Sequence, residues 1–167
     1  MYRFYKTCDN LEEMYPFVFP ICPGLFLGGE EAALDIRLHQ KLKFALVINC
    51  SNHIPFVREK NPTTRYVKVP VEDNLRIKEI NKLGKLLPNI VAMIHETLAE
   101  GKTVLVHCRL GRQRSAAIVA AYLMYRDGMT PSDAMKLVQK IKPDTFQPEP
   151  NFVNALQDYQ TYIHEAH

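Results

Sequence analysis

The sequence predicts an α/β fold with a central, mostly parallel sheet of four to five strands flanked by helices on both faces. Apolar runs of strand length alternate with longer segments whose apolar residues recur at helical spacing. Two of the runs, residues 44–49 and 103–107, are almost continuously apolar, which is typical of strands covered on both faces. Alternation of this kind favours a layered sheet with crossover helices.

Four strands are expected, at residues 25–28, 44–49, 65–71 and 103–107. The first follows the turn signal Pro23-Gly24. The third alternates polar and apolar side chains and carries Pro70 near its end. It is therefore expected to lie less deep than the others or to finish at the proline.

Five helices are expected, at residues 30–42, 78–99, 114–126, 151–165 and between Thr130 and Pro143. Gly84 and Pro88 predict a break or a kink in the second of these. Gly128 is a suitable C-terminal cap for the third helix. Thr130 and Pro131 have the order of an N-cap followed by a proline at the first helical position.

Length and composition indicate one globular domain, residues 1–167. The chain has 167 residues, enough for a core of its own. Its 47% hydrophobic and 23% charged residues are ordinary values and argue against disorder or a fibrous repeat. The formal net charge of +3 suits anionic ligands but is too small to argue for nucleic acid.

The cysteines have neither CxxC nor Cys–His ligand spacing; they are Cys8, Cys22, Cys50 and Cys108. Neither a metal site nor a disulfide framework is predicted, and no cofactor is expected. The N-terminus has no apolar run behind a basic tip, and the longest nearly uncharged stretch, residues 115–125, is too short to span a bilayer. A cytoplasmic or nuclear protein with reduced thiols and no transmembrane segment is expected.

The most informative stretch is residues 104–115, VLVHCRLGRQRS. A buried strand runs into a short loop that contains Gly111 and then directly into an Ala-rich helix. Successive backbone N–H groups of such a loop can converge on one anion, and the helix N-terminus adds its positive dipole end. This field would stabilise Cys108 as a thiolate, and Arg114 could bind two phosphate oxygens through its planar fork.

A bare Cys-x5-Arg spacing occurs by chance in many chains. The alternative is a buried cysteine that ends a core strand, with the loop arginines merely solvated. The strand before the loop, the glycine within it and the helix after it all favour phosphate binding instead.

The pattern from His107 through Cys108, Gly111 and Arg114 to Ser115 resembles the phosphate-binding signature of the protein tyrosine phosphatase superfamily. The rest of the chain resembles its small dual-specificity branch, notably at residues 23–28, 47–51, 69–73 and 150–152. The resemblance covers about residues 15–165. It implies a single catalytic phosphatase domain whose phosphate-binding loop lies between the last central strand and a helix.

The resemblance also implies an activity: a cysteine-dependent, metal-independent phosphatase acting on phosphotyrosine and phosphoserine or phosphothreonine in proteins. Cys108 would attack phosphorus and form a phosphocysteine. His107 would orient the loop, and Ser115 would hydrogen-bond the sulfur and ease its departure. The phosphate would be held by the loop residues Arg109, Leu110, Gly111, Arg112, Gln113 and Arg114.

The leaving oxygen needs a proton, and the resemblance assigns that role to Asp73. The same carboxylate would then activate water as a general base. Neighbouring Glu72 is the rival, and either residue could instead be an exposed loop charge.

Two features depart from the usual pattern. Gln113 stands where most dual-specificity phosphatases carry serine. Basic residues at both loop positions, Arg109 and Arg112, resemble the pattern of family members that hydrolyse phosphoinositides or phosphatidylglycerophosphate. Anionic phospholipid head groups are therefore an alternative substrate. No polybasic run or amphipathic anchor supports that alternative, and phosphoprotein substrates rank above it.

Other functions are weaker. A phosphopeptide-binding module without activity would be expected to lose Cys108, Arg114 or Asp73. An RNA 5′-phosphatase would need a broader basic face, so no nucleic-acid partner is expected. A redox role for Cys108 would be recognised by a disulfide with Cys22 or Cys50 under peroxide, and oxidation of Cys108 is not expected to be the main function. The aromatic N-terminal segment could form a docking or dimer contact, and the oligomeric state stays open.

Overall fold

The structure is a computed structural model that describes residues 11–57 and 61–166. Cys8 and the first part of the aromatic N-terminal segment lie outside the described residues. Within them the strands are β1 (Val18–Cys22), β2 (Leu25–Gly28), β3 (Leu46–Asn49), β4 (Arg65–Lys68) and β5 (Val104–His107). The helices are α1 (Leu11–Met14), α2 (Glu30–Leu34), α3 (Ile36–Leu42), α4 (Ile77–Ala99), α5 (Arg114–Asp127), α6 (Pro131–Ile141) and α7 (Val153–Ala166).

The strands form one sheet in the order β1-β2-β5-β3-β4. The pairs β2–β5, β5–β3 and β3–β4 are parallel, and β1 pairs antiparallel with β2 at one edge. The predicted mostly parallel α/β sheet is confirmed. At one end of the sheet, His107 of β5 is in register with Gly28 of β2 and Asn49 of β3. The loops after these strands therefore meet at one edge, where open α/β sheets bind their ligands.

Helices cover both faces of the sheet, as predicted. One face packs on α4 to α7 in a core that includes Leu27, Ile48 and Val106. The other face packs on α1 to α3 through Phe26 and Leu105. Within α5, residues 115–124 are all buried, because this helix lies between the sheet and its neighbouring helices. A short Ala-rich sequence suits that central place, since small side chains let neighbours approach closely.

The helix predicted at residues 30–42 is two helices, and the single-helix prediction is wrong. Asp35 has an extended backbone between α2 and α3, and its carboxylate accepts a hydrogen bond of 2.8 Å from the Leu38 amide. Aspartate is a strong N-cap and is unfavourable inside a helix, so α2 ends before Asp35 and α3 begins after it.

The break allowed for at Gly84 and Pro88 does not occur, because α4 runs uninterrupted from Ile77 to Ala99. Gly84 faces α7, and a Cβ atom there would lie 3.5 Å from the Ala155 Cα. That distance is an ordinary van der Waals contact, so the glycine is accommodated within the helix and the packing would also accept alanine. The caps of the next two helices are as predicted: Gly128 is left-handed at φ 67°, and Thr130 Oγ1 accepts from the Asp133 amide.

The strands differ from the predictions mainly at the edges of the sheet. The edge strand β4 ends at Lys68, before Pro70, and its residues are exposed or half-buried. The pattern did not indicate β1, an antiparallel edge strand that contains Pro20 and an irregularity between Pro20 and Cys22. No helix in the described ranges is both long and apolar enough to cross a membrane.

Candidate active site

Residues 108–113, here called the Cys108 loop, join β5 to the N-terminus of α5. Three of the loop carbonyls face outward. Arg109 O accepts from the Glu30 amide at 2.8 Å, Arg112 O from the Phe146 amide at 2.8 Å, and Leu110 O from Lys142 Nζ at 3.1 Å. Because C=O and N–H point in opposite directions across a trans peptide, the amides that follow these carbonyls point inward. Inward amides would give the loop the geometry of a cradle for an anion.

Cys108 lies at the base of this cradle. Its side chain is buried, and Sγ is 3.0 Å from Ser115 Oγ in the first turn of α5. Ser115 is itself fully buried. The hydroxyl can donate to a thiolate or accept from a thiol, and the helix N-terminus beside it favours negative charge.

Arg114 is the first residue of α5, and two carbonyls from neighbouring loops fix its guanidinium. Nη1 donates to Cys50 O at 2.9 Å and to Val71 O at 3.1 Å. Nε is buried and has no hydrogen-bond partner among the described residues. A guanidinium held on one side with a buried donor left over can bind an oxyanion through its remaining N–H groups.

Two glycines, one after β2 and one in the Cys108 loop, allow the loop to curve against the sheet. Gly111 has φ +66°, and a Cβ atom there would lie 2.8 Å from Gly28 O. Gly29 is similarly tight, since its Cβ atom would lie 2.8 Å from Arg109 O. Glycine is required at Gly111 for both reasons, its backbone conformation and the close approach.

His107 ends β5 directly before the nucleophile candidate and is almost completely buried. Burial lowers the pKa of His107 to about 4. The imidazole is therefore neutral near pH 7, and it does not support the loop through a positive charge. Its Nδ1 is buried and has no hydrogen-bond partner among the described residues.

The two acidic candidates lie together in the loop between β4 and α4, residues 69–76, here called the Asp73 loop. Glu72 is half-buried, and its carboxylate accepts a hydrogen bond from the Asn52 side chain. Asp73 is exposed, and its Oδ1 accepts from Asn151 Nδ2 at 2.8 Å. Because the Arg114 guanidinium binds Val71 O, the Asp73 loop is tied to the first residue of α5, directly after the Cys108 loop.

Gln113, the residue that departs from the usual serine, is buried and connects the Cys108 loop to residues 147–151, here called the closing segment. Its Nε2 donates to Gln147 O at 3.1 Å and to Glu149 O at 2.9 Å. Its Oε1 accepts from the Asn151 amide at 2.9 Å. The glutamine side chain, longer than serine, makes no cap bond to α5 and instead binds the closing segment.

The two extra loop arginines have different surroundings. Arg112 Nε lies 2.9 Å from Asp144 Oδ2, and Lys142 Nζ lies 2.5 Å from the other oxygen of the same carboxylate. Partial burial acts against ionisation, but these two cations hold the pKa of Asp144 below its usual range. Arg109 is exposed and makes no ion pair within the described ranges.

The remaining described cysteines differ from Cys108 in their surroundings. Cys50 is fully buried, and burial raises its pKa well above the ordinary value, with the nearby Cys108 adding to the effect. Burial also raises the pKa of Cys22. Both therefore stay protonated near pH 7. Across residues 11–57 and 61–166 no three metal-ligating side chains are grouped as a metal site would require.

Sequence reasoning placed Cys108, Arg114, Ser115 and His107 in one local unit, and the structure brings Asp73 to the same edge of the sheet. It missed the carbonyls of Cys50 and Val71 that hold Arg114, and the bond from Asn151 to Asp73. Backbone carbonyls carry no sequence signal. Asn151 belongs to a segment that resembles the family, but nothing in the sequence links it to a loop 78 residues away.

Comparison with known proteins agrees with this geometry. A family model described as "Dual specificity phosphatase, catalytic domain" matches residues 25–162. Human dual specificity protein phosphatase 9 is 30% identical over 144 residues, covering 86% of this chain and 36% of that protein. Human dual specificity protein phosphatase 16 is 34% identical over 146 residues, covering 86% of this chain and 21% of that protein. The chain thus spans about a third or less of the length of these two relatives.

Solved structures show the same fold. The crystal structure of human DUSP28 has a TM-score of 0.76 and 28% identity, and the match covers 89% of this chain and 96% of that one. The human tyrosine phosphatase-like serine/threonine/tyrosine-interacting protein has a TM-score of 0.73 and 31% identity, with 87% and 96% covered. With the family model matched over most of its length, this chain belongs to the dual specificity phosphatase family.

Proposed function

We propose that the chain hydrolyses phosphate monoesters of phosphotyrosine, phosphoserine and phosphothreonine in proteins through a phosphocysteine intermediate. One observation carries the proposal: Cys108 Sγ lies beside Ser115 Oγ, at the base of a loop whose carbonyls are tied outward. A nucleophile beneath an anion cradle is the arrangement that in-line attack on a bound phosphoryl group needs.

In the first step, the Cys108 thiolate forms a bond to phosphorus while the bond from phosphorus to the ester oxygen breaks. The electron pair of that bond stays on the leaving oxygen, which takes a proton from Asp73. The inward amides of the Cys108 loop and the free donors of Arg114 bind the three equatorial oxygens. Since charge spreads over these oxygens in a loose transition state, fixed donors supply much of the rate acceleration.

In the second step, water attacks phosphorus and the bond between sulfur and phosphorus breaks. The Asp73 carboxylate takes a proton from the water, which restores the acid for the next turnover. The sulfur leaves as a thiolate, and the Ser115 hydroxyl donates to it at the observed 3.0 Å contact. Inorganic phosphate then dissociates from the loop.

Charge pairing at the loop supports protein substrates over phospholipids. Asp144 lies against both Arg112 and Lys142, so these two cations are compensated within the described part of the chain. Arg109 is left as the exposed loop cation without an ion pair there. A neighbour of the same fold at 21% identity was crystallised in complex with PI(5)P, which makes a phosphoinositide the second candidate substrate.

The test is phosphate release from a matched panel, with Cys108→Ser as the blank. The panel contains a phosphotyrosine peptide, a phosphothreonine peptide, vesicles carrying phosphoinositides and vesicles carrying phosphatidylglycerophosphate. We expect Cys108-dependent turnover of both peptides, faster than that of either lipid. A lipid preference above about a hundredfold, about 2.7 kcal/mol of transition-state stabilisation, would instead make Arg109 and Arg112 head-group ligands. No Cys108-dependent release from any substrate would refute the phosphatase proposal.

A further inference from the structure

Gln113 occupies the N-cap position of α5 without capping the helix. Short side chains such as serine, threonine and aspartate are favoured there because their oxygen reaches the amides of the first turn. Gln113 makes no side-chain cap bond, and its backbone carbonyl alone accepts from the Ala117 amide at 2.8 Å. The Gln113 side chain is therefore free to bind elsewhere.

That side chain makes three hydrogen bonds to the closing segment, using both of its donor hydrogens and its acceptor oxygen. A primary carboxamide has two donor hydrogens and one acceptor oxygen. The two donated bonds end on Gln147 O and Glu149 O, and the oxygen accepts from the Asn151 amide. Serine at this position has a shorter side chain and one donor hydrogen, so it could not make the same three contacts. With Gln113 buried, any of these groups left unpaired would carry a desolvation penalty.

The closing segment in turn holds the Asp73 carboxylate. Asn151, whose backbone amide is bound by Gln113, donates from its side chain to Asp73 Oδ1 at 2.8 Å. The contact between Arg114 and Val71 O fixes the backbone of the Asp73 loop but not the direction of the exposed carboxylate. A continuous path of hydrogen bonds thus runs from the Cys108 loop to the acid through Gln113 and Asn151.

We propose that Gln113 is a positioning residue for Asp73 and sets where the acid delivers its proton relative to the nucleophile. This inference rests on the proposed function. Gln113 takes no part in making or breaking bonds. It fixes Asn151, which orients the carboxylate toward the leaving oxygen. Glutamine in place of serine would then align the acid through its side chain, while the backbone of residue 113 keeps its place in the Cys108 loop.

The leaving group distinguishes positioning from a merely structural role. An ester oxygen that leaves as a poor anion, such as the phenolate of phenyl phosphate, needs the proton from Asp73. The nitrophenolate of p-nitrophenyl phosphate leaves readily without one. Misplacing the acid therefore slows the first ester and spares the second. General damage to the loop would slow both equally.

The experiment measures kcat/KM for both esters in wild type, Gln113→Ser and the control Gln139→Ser. This constant reports the steps up to phosphoenzyme formation. Gln139 Nε2 donates to Thr145 O at 3.0 Å. Thr145 lies between α6 and α7, as the closing segment does, so the control removes a glutamine contact to this interhelical stretch without touching Asn151. We expect Gln113→Ser to lose at least about tenfold with phenyl phosphate, about 1.4 kcal/mol. Its loss with p-nitrophenyl phosphate should be at least about fivefold smaller than its loss with phenyl phosphate. Gln139→Ser should leave the ratio of the two constants at the wild-type value.

Combining substitutions tests the path itself. If Gln113 acts through Asp73, adding Gln113→Ser to Asp73→Asn should cause no further loss with phenyl phosphate, because coupled residues are not additive. Asn151→Ala removes the bond to Asp73 while leaving the Cys108 loop intact, and it should show the same ester selectivity. If Gln113→Ser does not fold, the ester selectivity of Asn151→Ala tests whether the path positions Asp73.

Equal losses on both esters, or fully additive losses with Asp73→Asn, would overturn the positioning role. A Gln139→Ser variant as selective as Gln113→Ser would also overturn it. In these cases wild type is still active, and the proposed function stands. If wild type releases no phosphate from the esters or from the phosphopeptides, the proposed function fails and the inference fails with it. If it turns over only the peptides, the phosphothreonine and phosphotyrosine peptides take the places of phenyl phosphate and p-nitrophenyl phosphate, because an alkoxide is the poorer leaving group.

Discussion

The surroundings of the two carboxylates argue for Asp73 over Glu72 as the proton donor. The Asn52 side chain binds the Glu72 carboxylate and the Glu72 amide donates to the Glu79 carboxylate, so hydrogen bonds hold both the side chain and the backbone of this half-buried residue. Asp73 is exposed at the rim and held by Asn151 from the side of the Cys108 loop. A proton donor must reach a leaving group that enters from solvent, and the exposure of Asp73 suits it to this proposed role better than the half-buried position of Glu72.

Replacing Asp73 with asparagine should slow turnover of a phosphothreonine peptide at least about tenfold, because an alkoxide is a very poor leaving group without a proton. KM should stay within about twofold, since the amide keeps the size of the side chain and its contact with Asn151. Steady-state kinetics of Asp73→Asn and Glu72→Gln side by side provide the measurement. A large loss confined to Glu72→Gln would assign the acid to Glu72.

The buried imidazole of His107 makes a prediction about stability rather than catalysis. The ordinary histidine pKa of 6.5 applies to the unfolded chain, whereas the pKa of folded His107 is about 4. Below pH 6.5 the unfolded state therefore binds the proton that the folded state excludes. Stability from this group is fully present above pH 6.5 and is lost as the pH falls from 6.5 to 4, by about 3 kcal/mol in total.

The measurement is urea unfolding of wild type and His107→Gln between pH 7 and pH 4.5. The glutamine variant should lose less stability over that window, because it lacks the group that protonates on unfolding. Identical slopes in the two proteins would show that His107 protonates in the folded state as readily as in the unfolded one.

At the scale of elements, the site depends on the contact between the β2–α2 turn and the Cys108 loop. Gly28 of β2 is in register with His107 of β5, and the Glu30 amide binds Arg109 O. The turn therefore holds one side of the loop, while the Phe146 amide and Lys142 hold the other. Loop shape is set by elements that are far apart in the sequence but adjacent at one end of the sheet.

Gly111→Ala should disrupt this contact. The substitution adds a Cβ atom 2.8 Å from Gly28 O and forces a left-handed backbone at φ +66° on alanine. The left-handed conformation alone costs about 1–2 kcal/mol, and the clash moves the loop away from the turn. We expect a lower melting temperature together with a loss of at least about tenfold in kcat/KM.

Gly101→Ala is the matched control. Gly101 has φ +73° in the connection between α4 and β5, and a Cβ atom there would meet nothing within 4 Å. It should show a similar loss of stability from backbone strain with unchanged kcat/KM. Equal activity losses in the two variants would mean that strain, and not the contact with β2, explains the effect.

For the whole molecule, the sequence was sufficient to predict the layered sheet, and the local part of the candidate site is contiguous within it. The runs that became β3 and β5 are continuously apolar because both faces of the sheet are covered, and His107 to Ser115 are contiguous. The split at Asp35 could have been predicted from its strength as an N-cap. The edge strand β1 could not, because its pattern is broken by Pro20 and its pairing depends on β2.

The rest of the site depends on tertiary contacts that no local pattern encodes. Arg114 is held by carbonyls from two separate loops, and Asp73 is held by a residue in the segment that precedes α7. Gln113 stood out in the sequence as a departure from the family pattern. Its purpose became apparent only when the closing segment was seen to pack against it.

The most direct measurement for the whole account is detection of the covalent intermediate. The protein is mixed with a phosphotyrosine peptide, quenched rapidly under denaturing conditions near neutral pH, digested and examined by mass spectrometry. We predict one phosphoryl group on Cys108 in wild type and none in Cys108→Ser. In Asp73→Asn, the amount of phosphocysteine divided by the turnover rate should exceed the wild-type value, because hydrolysis of the intermediate is slowed. Cys108-independent phosphate release, or turnover with the phosphoryl group on another residue, would contradict the account.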